Sequence, residues 1–205
     1  MIEQVSDAAQ RDVSRETFER LERYVALLRG GNEQQNLISA STLDKIWSRH
    51  IIDCAQLLRF TPHGAIADIG SGAGLPGLVI AILSEQPITL IEPRRLRVEF
   101  LERCIADLNL PHVRVFHGKA ERLSGRFDAI TARAVASVDK LFAAAHHLSH
   151  PETVWVLPKG RNGENELAAA QASWQGRFRT ERSITEGDAV IVVASEVSAR
   201  RKGRG

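Results

Sequence analysis

The pattern of apolar and polar positions changes character near residue 62. Before that point, apolar residues recur every three or four positions in two stretches, which predicts helices over residues 15–30 and 41–60. After it, short apolar runs alternate with helical stretches, as in a parallel sheet covered by helices on both faces. We therefore expect an N-terminal helical lid (1–61), an α/β core (62–197) and a basic tail (198–205).

The core pattern predicts a mainly parallel sheet of seven strands. Five apolar runs predict strands, four periodic stretches predict helices, and two last runs around the sequence Glu-Gly-Asp predict a closing hairpin. The predicted strands are 65–69, 88–91, 113–116, 127–131 and 153–157, the helices are 78–83, 94–108, 137–147 and 164–174, and the hairpin strands are 177–185 and 189–195.

The composition is that of one globular protein with a single main domain. The 205 residues are 43% hydrophobic and 25% charged, and no apolar run is long enough to cross a bilayer. Cys54 and Cys104 form no Cys-x-x-Cys pair and lie in helical patterns, so we expect reduced packing residues and no metal site. We expect a cytoplasmic protein that acts as a monomer, without a membrane partner.

The last residues concentrate positive charge. Arg200, Arg201, Lys202 and Arg204 fall within eight residues that are too polar to fold alone. The sequence leaves two interpretations open, a solvated end of the chain or an arm that contacts phosphates.

The segment ADIGSGAGLPGL (67–78) places glycines between a predicted strand and a predicted helix. Glycine permits a tight turn and close approach of a ligand, and we expect free backbone amides there to face that ligand. Gly70, Gly72 and Gly74 form G-x-G-x-G, whereas Gly72, Gly74 and Gly77 form G-x-G-x-x-G. The loop alone therefore fits either S-adenosylmethionine or a dinucleotide.

Two acidic residues favour S-adenosylmethionine. Glu92, at the tip of the second predicted strand, is placed to accept hydrogen bonds from the ribose hydroxyls of an adenosine group. Asp68 stands just before the turn, where a carboxylate would attract the cationic groups of S-adenosylmethionine and repel a pyrophosphate. The one tyrosine, Tyr24, precedes the sheet and has no lysine four positions later, so no hydride-transfer apparatus is evident.

Motifs that the sequence lacks narrow the choice of the atom that accepts the methyl group. Methylation of a pyrimidine carbon needs a cysteine nucleophile, but both cysteines lie inside helical patterns. Methylation of an exocyclic amine commonly uses an Asn/Asp-Pro-Pro-aromatic loop, whereas residues 128–137 read DAITARAVAS. Guanine N7 has an available lone pair and no proton to lose, so it needs neither device.

Six sequence blocks together resemble the motifs of one known protein family. Over about residues 17–195 the chain resembles the RsmG (GidB) family, ribosomal RNA small subunit methyltransferase G. The blocks, in the order of the family, are NLIS (36–39), RHIIDCAQL (49–57), ADIGSGAGLPGL (67–78), KAERL (119–123), TARAVAS (131–137) and LPKG (157–160). The resemblance implies a Rossmann-like S-adenosylmethionine-dependent methyltransferase that forms 7-methylguanosine in 16S ribosomal RNA of the small subunit.

The resemblance also implies site residues. Its cofactor contacts fall on Gly70, Leu75, Ala120, Glu121 and Arg133. Ala120 and Glu121 are also compatible with an ordinary turn that starts a helix.

For the substrate side we select loop residues at strand ends and polar residues of the lid. Arg133 and Lys159 are the candidates for a catalytic role, with Asn36, Arg49 and His50 as substrate contacts. A structural His50–Asp53 pair that holds the lid is an equally open interpretation, and His50 is not proposed as a general base.

Two other functions remain compatible with the sequence. One is methylation of a small molecule on the same core, which would need neither the basic tail nor structured RNA. The other is a non-catalytic RNA-binding protein that keeps the fold but does not bind the cofactor.

Overall fold

The computed structural model describes residues 1–200, which form a seven-stranded sheet with helices on both faces. The strands are β1 (Ile66–Ile69), β2 (Ile88–Glu92), β3 (Val113–His117), β4 (Ala129–Thr131), β5 (Val154–Lys159), β6 (Trp174–Arg182) and β7 (Val190–Ala199). The helices are α1 (Ile2–Ala9), α2 (Arg15–Gln34), α3 (Asp53–Ala55), α4 (Gly77–Ser84), α5 (Arg95–Asp107), α6 (Val138–Ala145) and α7 (Gly163–Ala170).

The strand order confirms the predicted Rossmann-like class. The order across the sheet is β3-β2-β1-β4-β5-β7-β6, with β1 to β5 parallel and β7 antiparallel to both of its neighbours. Because β2 and β4 flank β1 on opposite sides, the direction of winding reverses between β1 and β4. A crevice at the carboxyl ends of these two strands is where such sheets bind ligands.

The five predicted strands and the closing hairpin are confirmed, with small changes at their ends. The helix predicted over 164–174 ends earlier, since Trp174 already begins β6. The predicted end of the first long helix at residue 30 is wrong, because α2 continues through two glycines to Gln34. A Cβ on Gly31 would lie 2.6 Å from the Phe100 ring, so this glycine serves close packing between α2 and α5.

The second predicted helix, over 41–60, is not a regular helix. It consists of a 3₁₀ segment (Ala40–Lys45), a π segment (Trp47–Ile52), the short α3 and a second 3₁₀ segment (Gln56–Arg59). We call residues 40–59 the irregular helix. π turns inside helices are frequent at functional sites, and this one carries Arg49 and His50 and is followed directly by Asp53.

The N-terminal residues share a core with the sheet. Apolar side chains of α1, α2 and the irregular helix pack with α4, α5 and one sheet face in a single cluster. The other face packs α6 and α7 around Trp155 and Phe142, whose rings meet edge to face at 4.9 Å. The segment predicted as a lid is therefore part of the layer that covers one face of the sheet.

The cysteines and the tail can now be placed. Cys54 and Cys104 are buried without a disulfide, and burial raises the pKa of each thiol to about 12, so both stay protonated at neutral pH. Strand β7 continues to Ala199, so the first residues of the predicted tail belong to the sheet. Arg200 donates to the carbonyl oxygens of Gln171 and Trp174, while 201–205 lie outside the described residues.

Candidate functional site

Two clefts adjoin at the carboxyl ends of β1 and β4. The glycine-loop cleft, of about 340 Å³, is lined by Gly70 to Ala73 and Leu75 together with Leu37, Ile38 and Arg97. The hairpin cleft, of about 440 Å³, lies beside the tip of the β6–β7 hairpin and is lined by residues that include Arg49, Lys159 and Glu186. His50, Arg133 and Ala134 line both clefts and form the wall between them.

The glycine loop has the backbone that its sequence predicts. Gly70, Gly72 and Gly74 have φ values of 66°, 56° and 91°, in the left-handed region that favours glycine. A Cβ on Gly70 would lie 2.7 Å from Val135, and one on Gly74 would lie 2.4 Å from Leu78. At Gly72 the nearest atoms to an added Cβ would be Arg97 Nη1 at 3.5 Å and the Gly70 carbonyl oxygen at 3.7 Å, so a side chain there would be in ordinary contact with the cleft lining.

The expectation that free amides of this loop face a ligand is wrong for most of them. The amides of Gly70 and Ser71 donate to the Ile91 carbonyl at 2.8 and 3.1 Å, and those of Gly74 and Leu75 donate to the Ser71 carbonyl at 2.7 and 3.2 Å. A loop whose amides are bonded internally offers little to a pyrophosphate. It fits a cofactor without phosphate groups.

Glu92 lies where the strand pattern places it and also supports the loop. Its side chain accepts the Gly72 amide at 2.9 Å and the Arg94 amide at 2.8 Å, and the residue is 2% exposed. Each carboxylate oxygen has a second lone pair, so these bonds leave acceptor capacity for a hydroxyl.

Asp68 has a different position from the one we predicted. The residue is fully buried, and its two oxygens accept the Thr131 hydroxyl at 2.9 Å and the Gly77 amide at 3.2 Å. Burial raises the pKa of this carboxyl to about 6. Asp68 therefore lies beneath the loop, where it joins β1 to β4 and to the start of α4, and it does not face a cationic cofactor.

Tyr24 contributes to the loop in a way that the sequence did not indicate. Its ring is buried in the core, and its hydroxyl donates to the Ala73 carbonyl at 2.8 Å. Burial raises the pKa of this phenol well above its ordinary value, so it remains a donor. The only signal in the sequence is a polar aromatic residue on the apolar face of a helix.

Arg133 connects the loop after β4 to the irregular helix. Its Nη1 donates to the Arg49 carbonyl at 3.3 Å and to His50 Nδ1 at 3.1 Å, and lies 3.5 Å from Asp53 Oδ2. Burial and the charges of Arg133 and Arg49 lower the pKa of His50 to about 4, so this ring is neutral at pH 7. His50 and Asp53 thus meet through Arg133, and His50 Nε2 is 2.9 Å from the Thr42 hydroxyl.

The hairpin tip docks on the irregular helix through contacts that the sequence pattern did not predict. Asp53 Oδ1 accepts the Thr185 hydroxyl at 2.6 Å and the Gln56 side-chain amide at 2.9 Å. Arg49 forms an ion pair with Glu186 in the same turn. These contacts close one side of the hairpin cleft.

Lys159 lines the hairpin cleft, but its charge is already paired. Its side chain is 7% exposed, its Nζ donates to the Ala136 carbonyl, and it lies 3.1 Å from Glu166 Oε2. The same Glu166 oxygen accepts the Val138 amide at 3.3 Å. These contacts fix the loop between β4 and α6, and a contact of Lys159 with substrate stays a prediction.

Six predicted residues lie outside the linings of the two clefts: Asn36, Asp68, Gly74, Glu92, Ala120 and Glu121. Asn36 is exposed, whereas its neighbours Leu37 and Ile38 line the glycine-loop cleft. Ala120 is buried and Glu121 is exposed in the 3₁₀ turn (Ala120–Arg122) that follows β3.

Within residues 1–200 no group of three or more His, Cys, Asp or Glu side chains could hold a metal ion, and no helix is long and apolar enough to cross a membrane.

Comparison with known proteins gives a consistent result. The family described as "rRNA small subunit methyltransferase G" (GidB) matches residues 17–190. A ribosomal RNA small subunit methyltransferase G from Zymomonas mobilis is 44% identical, over 94% of this chain and 92% of the relative. One from Rhizorhabdus wittichii is 45% identical, over 94% and 91%.

Solved structures agree on the fold. A methyltransferase from Aquifex aeolicus described as SAM dependent superposes with a TM-score of 0.59 at 13% identity, over 80% of this chain and 97% of that one. An MtNAS mutant in complex with S-adenosylmethionine gives 0.58 at 16% identity, over 86% and 74%. The match along most of the chain, on a fold with the expected loop, shows that this protein belongs to the rRNA small subunit methyltransferase G family of S-adenosylmethionine-dependent methyltransferases.

Proposed function

We propose that this chain transfers a methyl group from S-adenosylmethionine to N7 of a guanine in 16S ribosomal RNA. The observation that carries the proposal is the family match over residues 17–190, combined with two clefts that meet at Arg133. One cleft is bounded by the glycine loop and suits the cofactor. The other is open beside it and suits the acceptor base.

The residues of the glycine-loop cleft fit the cofactor. Gly72 lines this cleft without a side chain, and Glu92, which is buried behind it and accepts the Gly72 N–H, keeps lone pairs that ribose hydroxyls would reach at the loop. Ala120 and Glu121 would meet the adenine edge from the loop after β3. When bound, S-adenosylmethionine supplies an electrophilic methyl carbon. The chain has to hold it in line with the acceptor lone pair and exclude water.

The acceptor side needs no proton transfer. Guanine N7 carries a lone pair and no hydrogen, so the neutral His50, whose Nδ1 is engaged by Arg133, is not required as a base. The Nε and Nη2 groups of Arg133 have no hydrogen-bond partner among residues 1–200. They are available to guanine O6, a phosphate, or the carboxylate of the cofactor.

The polar rim completes the proposed substrate site. Arg49 exchanges its ion pair with Glu186 for a contact with an RNA phosphate. The exposed Asn36 contributes a second contact with the RNA from the edge of the glycine-loop cleft. Lys159 acts by holding the loop that carries Arg133. The partner is the small ribosomal subunit or its 16S RNA, and one copy of the chain acts in the cytoplasm.

The test is methyl transfer to small ribosomal subunits that lack their native 7-methylguanosine. The purified chain is incubated with tritiated S-adenosylmethionine and either intact subunits or naked 16S RNA, and the RNA is digested to nucleosides. We expect label in 7-methylguanosine, and none with subunits that already carry the modification. Label in another nucleoside overturns the acceptor assignment. Cofactor binding without any transfer to RNA favours a small-molecule substrate instead.

A further inference from the structure

Val135 is an apolar side chain that the structure leaves uncovered beside the site. It is 44% exposed, lines the hairpin cleft, and lies over Gly70, where an added Cβ would be only 2.7 Å from it. A glycine at position 70 is therefore what permits this side chain to lie against the loop. Val135 stands where the two clefts adjoin.

The loop that carries Val135 is held at both ends. Arg133 is bonded to the irregular helix, and the Ala136 carbonyl accepts Lys159. Between these points Ala134 has a φ of 56°, a conformation that residues other than glycine keep only where their surroundings impose it. The exposed valine therefore lies on a loop that Arg133 and Lys159 anchor and that contains one residue with a positive φ.

Among the large apolar side chains that line the two clefts, Val135 is the most exposed. Among residues 1–200 no Phe, Tyr or Trp lines either cleft. The other large aliphatic side chains of the hairpin cleft, Val190 and Ile191, are buried in the sheet. A base that leaves its RNA stack needs an apolar surface against its ring face, and Val135 is the exposed group that can supply one.

We propose that Val135 is a positioning residue whose methyl groups pack against the ring face of the acceptor guanine. The inference rests on the proposed function and names the contact that orients the base. With the face resting on Val135, the edge of the ring lies toward the free N–H groups of Arg133 on the shared wall. Shape and apolarity would then align N7 with the methyl carbon, without an aromatic partner.

The experiment compares Val135→Thr with Val135→Ile. Threonine keeps the β-branched shape and replaces a methyl by a hydroxyl, whereas isoleucine keeps the apolar surface. Formation of 7-methylguanosine on unmodified subunits gives kcat and KM, and calorimetry gives the Kd for S-adenosylmethionine. Ile184→Ala, on the exposed side chain at the hairpin tip that lines neither cleft, is the control for loss of an exposed aliphatic group.

We expect Val135→Thr to lower kcat/KM for subunits by roughly tenfold, as a lost apolar contact does. Val135→Ile and Ile184→Ala should stay close to wild type, and the Kd for the cofactor should be unchanged in all three. Equal kcat/KM for the threonine and isoleucine variants overturns the inference alone. A weakened cofactor Kd in Val135→Thr overturns it in favour of a role in packing the glycine loop. A wild-type chain that forms no 7-methylguanosine removes the proposed function and this inference together.

Discussion

The two clefts are built in different ways. The glycine-loop cleft is bounded by one tight turn, in which Gly70, Gly72 and Gly74 reverse the chain between β1 and α4, and more than half of its other lining residues come from elsewhere in the chain. The hairpin cleft is made by contacts between distant segments, since Asp53 meets Arg133 across 80 positions and Thr185 across 132. The comparison separates a cofactor turn whose backbone is encoded locally from an acceptor site that depends on docking.

If the cofactor turn is encoded locally, a change within it should abolish cofactor binding. Gly72→Val places a β-branched side chain at a φ of 56° and points it into the cleft, so we expect no measurable S-adenosylmethionine binding by titration calorimetry. Gly30→Val is the matched control, because Gly30 is exposed, has nothing within 4 Å of an added Cβ and lies in α2. Ordinary affinity in Gly72→Val would refute the loop assignment.

If the acceptor site depends on docking, removing the Asp53 carboxylate, which several of its segments share as a partner, should impair turnover while cofactor binding remains. Asp53→Ala removes the partner of Arg133, Thr185 and Gln56, and misplaced catalytic groups cost about a hundredfold in rate. We expect that loss in kcat/KM for unmodified subunits, with the cofactor Kd nearly unchanged. Asp188→Ala, at an exposed acidic residue of the hairpin turn, is the control. A parallel loss of cofactor affinity would show that the two clefts are not separable.

A test at Lys159 sharpens the comparison of the two clefts, because its ammonium group is already paired with Glu166. Lys159→Ala leaves Glu166 without its cation and frees the Ala136 carbonyl, so we expect turnover to fall by roughly tenfold, with cofactor affinity kept. Replacing both partners, as Lys159→Gln with Glu166→Gln, should recover part of the activity. A double variant as inactive as Lys159→Ala would instead mean that the ammonium group itself contacts RNA.

The smallest expected effect is on stability at acid pH. The pKa of His50 is lowered to about 4, below its ordinary 6.5, so folding favours the neutral ring. The contribution of the neutral ring to the free energy of unfolding is fully present above pH 6.5 and is lost as the pH falls from there toward 4. We expect His50→Gln to lose less stability than wild type between pH 7.5 and 5 in urea unfolding. The raised pKa of Asp68 acts in the opposite direction, but it is common to both proteins and cancels in the comparison.

Several features of the site were not predictable from the chain alone. Asp68 matched a familiar acidic position before a glycine turn, yet whether its carboxylate faces the cleft or lies beneath the loop depends on Thr131, which comes from β4. Lys159 was predicted to contact the substrate because it ends a strand, and only the fold supplies Glu166 as its partner. Tyr24 gave no chemical signal until α2 packed against the loop.

The sequence by itself determined the strands, the order of elements in the core, the glycine turn and the position of Glu92. Apolar periodicity and the backbone freedom of glycine act over a few residues, so they can be read locally. Only the tertiary structure decided how Arg133, Asp53 and Lys159 are partnered, why the irregular helix is not regular, and which apolar side chain stays exposed. Charge pairing and exposure depend on which distant segments come within a few ångströms, and no local pattern encodes that distance.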